Sequence, residues 1–116
     1  MKSMKPKNIE EVFKLLKEKA DPEELKQWTA MTENKATASV HFTIGRWIRN
    51  NLGLWTGKSN LAKYMKKLGL QHPDDMSGLI LSCYHRHLNN KPFNIQKEVE
   101  EYKQYWAKND SSSHTP

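Results

Sequence analysis

The chain has 116 residues, a formal net charge of +6 and 36% hydrophobic residues, the last well below the ~45–50% usual for a globular domain. That length suffices for one core and one domain, provided the few apolar residues are well placed. Cys83 is the one cysteine, which excludes a disulfide framework and a cysteine-based zinc site. No apolar run nears the ~18 residues of a membrane span, and the lysine-rich start lacks the apolar stretch of a secretory signal. A cytoplasmic protein without membrane contact is expected.

In chain order, residues 1–7 (MKSMKPK) read as a flexible segment. Asn8, answered by Glu11 three residues on, opens a helix over 9–19 with Ile9, Val12, Phe13 and Leu16 on one face. Asp21-Pro22-Glu23-Glu24 starts a short second helix with Leu25, Trp28 and Met31 inward. Residues 32–36 are weakly patterned. From Thr37 the spacing predicts one longer helix, with Val40, Ile44, Trp47 and Ile48 in a stripe, closed by Asn50-Asn51-Leu52-Gly53. Gly45 inside it implies close packing, since glycine there costs about 1 kcal/mol against alanine.

Ser59 caps a fourth helix carrying Leu61, Tyr64, Met65 and Leu68 and closed by Gly69. His72-Pro73-Asp74-Asp75 opens a fifth, whose Met76, Leu79, Ile80, Cys83, Tyr84 and Leu88 make the widest apolar stripe. Asn94 caps a last helix with Ile95, Val99, Tyr102 and Trp106, and the serine-rich 109–116 reads as a disordered tail. No segment alternates with period two. The fold class is therefore all-α: one compact domain over 8–108 of five or six short helices.

The charge is uneven. Residues 1–32 carry seven bases and six acids, 33–72 seven bases and one acid, and 73–116 five bases and six acids. The whole excess belongs to the middle third, which marks Arg46, Arg49, Lys58, Lys63, Lys66 and Lys67 as candidates for binding an anion or nucleic acid.

The strings HFTIGRWIRNNLGLW (41–55), HPDDMSGLIL (72–81), YHRHLNNKP (84–92) and YKQYW (102–106) resemble a small bacterial domain family of unknown function, found alone or attached to other modules. Its pattern runs W-I-R-N-N-x-G-L-W, H-P-D-D-M-S, Y-H-R-x-L; the likeness spans more than half the chain and none of the first forty residues. It implies a helical domain with a polar set of Trp47, Arg49, Asn50, Asn51, Trp55, His72, Asp74, Asp75, Tyr84 and Arg86, and no activity. Thr56-Gly57-Lys58 departs from the tighter Gly/Ser turn of the pattern.

Each candidate site has a plain structural reading. Arg46 and Arg49 share a helix face and suit a phosphate or carboxylate, but one arginine pairing with Asp74 or Asp75 is the favoured reading, since arginine suits a helix C-terminus anyway. His72, Asp74 and Asp75 invite a general base or a metal, yet adjacent carboxylates at a helix start diverge by ~100° and suit capping or ion pairing better. His85 and His87, two apart, diverge by ~200° on a helix. No metal, cofactor or catalytic residue is assigned. Cys83, on a buried stripe, lacks a neighbouring base. Gly53 to Ser59 is one residue short of a phosphate loop and follows no strand. The four tryptophans suit packing anchors, with Trp55, in a connection, the exception.

Three functions compete. The first is a non-catalytic interaction module that meets an acidic protein partner through the basic third, with Arg49, Asp74 and Asp75 holding helices together. The second is nucleic-acid binding through the 46–67 region; the third is a small enzyme using His72, Asp75 and His85.

Overall fold

The computed structural model describes residues 5–113, with side chains through residue 108. Among the described residues seven helices follow one another: α1 Ile9–Lys19, α2 Pro22–Ala30, α3 Glu33–Ser39, α4 Ile44–Asn51, α5 Asn60–Leu68, α6 Pro73–Leu88 and α7 Ile95–Ser113. No strand occurs among the described residues. The all-helical class holds, and the number of helices rises from five or six to seven. Of the expected flexible start, residues 1–4 lie outside the described residues, while Pro6 is buried and the Lys7 N–H donates to Glu11 Oε1 at 2.7 Å. Of the expected disordered tail, 114–116 lie outside them, as do the side chains from 109 on.

The starts of α1, α2 and α5 follow the sequence signals. The side chains of Asn8, Asp21 and Ser59 accept from the N–H groups of Glu11, Glu24 and Ala62, covering donors that an isolated helix leaves bare. The expected long helix from Thr37 is instead α3 and α4 with a turn between them. Val40, His41, Phe42 and Thr43 are all poor helix formers. The hydroxyls of Thr37 and Ser39 also donate back to Glu33 O and Ala36 O at 3.0 and 2.8 Å, competing with the backbone ladder. At the weakly patterned 32–36, Thr32 caps α3, and Trp28 Nε1 donates to Ala36 O at 2.7 Å.

The core gathers around α6, which packs against α1, α3, α4 and α7. Eight of its residues are buried, among them Met76, Leu79, Ile80, Leu81, Cys83 and Tyr84, so one amphipathic stripe meets helices on several sides. The stripe expected through α4 is buried only at Ile48; Val40 and Trp47 are half-buried and Ile44 is exposed. Gly53 closes α4 at φ 73°, and a Cβ there would lie 2.7 Å from the Ser59 side chain. That left-handed turn starts the connection to α5 and is open in practice to glycine alone.

Candidate functional site: a basic face and two arginine clusters

The polar residues singled out in the sequence do not form one constellation. The structure divides them among four places. At the start of α6, Arg49 lies with its side chain 5% exposed and its Nε 3.3 Å from Asp74 Oδ1, an ionic contact without hydrogen-bond geometry. Its Nη1 donates to Ser77 Oγ at 2.8 Å and its Nη2 to His41 O at 3.1 Å. The carbonyl freed by the α3–α4 turn is thus taken up by the arginine of the next helix. Gly45 makes room for this: a Cβ on it would stand 3.1 Å from Arg49 Nη1. Arg49 is a fastener between α4 and α6, and it leaves the set of anion-binding candidates.

Beside it, Asp75 Oδ2 accepts from Trp106 Nε1 at 2.5 Å, and the Trp106 ring stacks on His72 with centroids 3.9 Å apart. His72 is the N-cap residue of α6, and no side chain supplies a capping hydrogen bond there. The first-turn acids instead reach to other elements, Asp74 to α4 and Asp75 to α7. Replacing Trp106 by alanine removes both the stack and the bond; a loss of about 1–2 kcal/mol is expected, read as a lowered midpoint in urea unfolding.

Arg86 lies at the far end of α6. Its Nε contacts Glu33 Oε1 at 2.7 Å and its Nη1 contacts Glu98 Oε2 at 3.0 Å, while the Ser82 hydroxyl also donates to Glu33. One guanidinium therefore clamps α3, α6 and α7. Burial pushes the Glu33 carboxyl up, but the hydrogen bonds from Arg86 and Ser82 and the Arg86 charge outweigh it and hold it below the ordinary range. For Glu98, burial outweighs the attraction of Arg86, and its carboxyl is raised. Glu33 and Glu98 were missed in the sequence. Glu33 did carry a signal, as the lone acid of 33–72; Glu98 carried none.

The remaining residues cap and pack. Asn51 Nδ2 donates to Trp47 O at 3.0 Å, and Asn50 Oδ1 accepts from Trp55 Nε1 at 2.7 Å. Tyr84 is buried, and its hydroxyl has no partner. His85 is buried with Nε2 unpartnered, edge-on to Trp28, and His87 stacks on Phe13. His85 follows Asp75 by ten residues, about 15 Å along α6, so His72, Asp75 and His85 do not converge as the enzyme reading requires. Among the described residues no three or more His, Cys, Asp or Glu gather to hold a metal. Burial pushes the Cys83 thiol up to about 12.

What faces solvent is the basic set without Arg49. Arg46, Lys58, Lys63, Lys66 and Lys67 are all exposed. Arg46 and Asn50 stand one turn apart on α4, Asn50 holds Trp55, and Lys66 Nζ would lie 2.4 Å from a Cβ on Gly57. These contacts join α4, the 53–59 connection and α5 into one face. Trp55, 58% exposed, stands on that face, and Glu33, the only acid of 33–72, is turned to Arg86.

A second surface feature is a cleft of about 480 Å³ with chiefly apolar walls, bounded by Leu16 of α1, Leu25 and Trp28 of α2, Trp47 of α4, and Leu81 and Tyr84 of α6.

The family model described as Domain of unknown function (DUF6794) matches residues 5–88. The chain belongs to that family. The DUF6794 stretch takes in α1 through α6, including the first forty residues that the quoted strings left out, and it stops at the end of α6. The aromatic ending at 102–106 lies beyond it. No curated protein and no solved structure matches the chain.

Proposed function

We propose that this domain is a non-catalytic interaction module that docks an acidic segment of a protein partner on the face formed by Arg46, Trp55, Lys58, Lys63, Lys66 and Lys67. The observation that carries the reading is an exposed tryptophan on a face whose cations pair with no carboxylate among the described residues. Tryptophan and arginine are the side chains most often found as interface hot spots. Unpaired positive charge steers an acidic partner and sets its register.

A second reading, single-stranded nucleic acid, is favoured by the same tryptophan, since a base stacks readily on an exposed ring beside a cationic track. Against it, Asn50, the side chain best suited to read a base edge, is engaged by Trp55. With Arg49 withdrawn, five phosphate contacts would give a log–log salt slope of about −3.5 on a single strand.

The test is fluorescence anisotropy with a short Glu-rich peptide carrying one tyrosine, competed by oligothymidylate. The peptide is expected to bind, with affinity falling at least about tenfold in the Lys58→Glu/Lys66→Glu double variant and in Trp55→Ala. Stronger binding of oligothymidylate would transfer the face to nucleic acid. Unchanged binding in both variants would remove the face altogether.

A further inference from the structure

Resting on the acidic-segment reading above, we propose that Trp55, Asn50 and Arg46 select a segment in which an aromatic side chain stands beside a carboxylate. The aromatic ring lies on Trp55, and the carboxylate is held by the Asn50 amide and the Arg46 guanidinium. The other cations of the face ask only for negative charge. These three residues add a demand on what accompanies it.

The orientation of Asn50 follows from the chemistry of its neighbour. An indole N–H can only donate, and Trp55 Nε1 stands 2.7 Å from Asn50 Oδ1. The amide oxygen therefore faces the indole and the NH2 end faces away from it. Asn50 is exposed, and its Nδ2 meets no acceptor among the described residues. With the oxygen engaged, the amide is poorly placed for the two-ended contact by which asparagine reads adenine. What it offers is two N–H donors, which match a carboxylate, an acceptor-only group. Arg46 lies one turn back on α4. It is exposed and forms no salt bridge among the described residues, so its guanidinium supplies the charge for the same carboxylate.

The same bond sets what Trp55 can do. With Nε1 engaged, the side chain meets a partner through its ring faces and carbon edge. It is 58% exposed, and no ring or cation of this chain stacks on it among the described residues. A lysine or arginine of the partner would suit a bare indole face, but the cations of this surface repel one. An aromatic ring is then the group that gains most there. Asn50 also holds the indole in place before the partner arrives, so less freedom is lost on binding. It is a positioning residue for Trp55 as well as a donor to the ligand.

The Glu-rich peptide with one central tyrosine and a counterpart with alanine in that place are titrated into the full chain, each followed by fluorescence anisotropy. The tyrosine peptide is expected to bind about fivefold more tightly. Trp55→Ala and Asn50→Ala should each erase that preference. Asn50→Asp keeps an oxygen for the indole but removes the two donors and adds like charge, so it should weaken both peptides and retain the preference. Equal binding of the two peptides to the unaltered chain, or a preference that survives Trp55→Ala, would overturn the proposal while the docking face stands. Loss of the preference in Asn50→Asp would overturn the positioning role. Binding of neither peptide, or tighter binding of oligothymidylate than of the tyrosine peptide, would remove the acidic-segment reading itself and this selection with it. The comparison of the two peptides on the unaltered chain needs no variant to fold.

Discussion

Arg86→Met is expected to lower stability by about 3 kcal/mol at neutral pH, and to lose less as the solution is acidified. The guanidinium forms salt bridges with both Glu33 and Glu98 in the α3–α6–α7 clamp. Methionine keeps most of the packed stem while leaving two carboxylates facing each other. The side chains of Arg86 and Glu33 are 32% and 31% exposed and that of Glu98 is 13% exposed, so water screens part of the repulsion and the loss falls at the lower end for a broken buried pair.

The pH dependence separates this account from a simple packing loss. In the intact protein the Glu33 carboxyl is held below its unfolded value of about 4.3, so its contribution is present above that value and fades as pH falls through the folded pKa. Glu98 is raised, so its contribution is present below the unfolded value and is lost as pH rises through its folded pKa. The two slopes oppose each other. Without the cation both carboxyls are raised, both favour the folded state in acid, and the deficit narrows between neutral pH and about pH 4. Urea unfolding at the two pH values checks it, and an equal deficit at both would contradict the clamp.

Arg49→Ala is expected to cost about 2–3 kcal/mol, or roughly 10 °C in Tm for a domain of this size, with no change in binding of the Glu-rich peptide. The loss comes from the bonds to Ser77 and His41 and from the buried stem. It stays moderate because the group left behind, Asp74, is 63% exposed and is rehydrated. Lys66→Glu is the contrasting substitution, since it alters the exposed face and leaves these fasteners alone. Thermal melts and anisotropy on the two variants should therefore separate cleanly: stability falls in one, affinity in the other. An unchanged Tm in Arg49→Ala would contradict the fastener assignment.

Much of the fold was legible because its signals are local. Asn8, Asp21 and Ser59 cap the helices they precede, and Gly53 and Gly69 take the positive φ values suited to helix ends. The turn at Val40–Thr43 was not legible, because the apolar spacing continues through it and the competition from Thr37 and Ser39 is a matter of backbone bonding. An arginine–aspartate pair was legible as a choice among partners, and the structure settled it as Arg49 with Asp74. The clamp was not, because Arg86 and Glu33 lie 53 residues apart in the chain, and nothing local links them. The cleft was hidden for a related reason. Periodicity marked Ile44 and Trp47 as apolar-face residues without showing that the facing helices stand back from them.

The clasp of Arg86 on Glu98 has a consequence for where the folding unit ends. The family match stops at Leu88, yet α7 seals Val99 into the core at 1% exposure, and it supplies Glu98 to the clamp and Trp106 to Asp75. A polypeptide cut at the matched boundary would strip a flank of the central helix bare and strand a guanidinium with half its counter-charge. The seventh helix is thus the keel of this particular hull, and a relative built without it must brace the same flank with some other segment of chain.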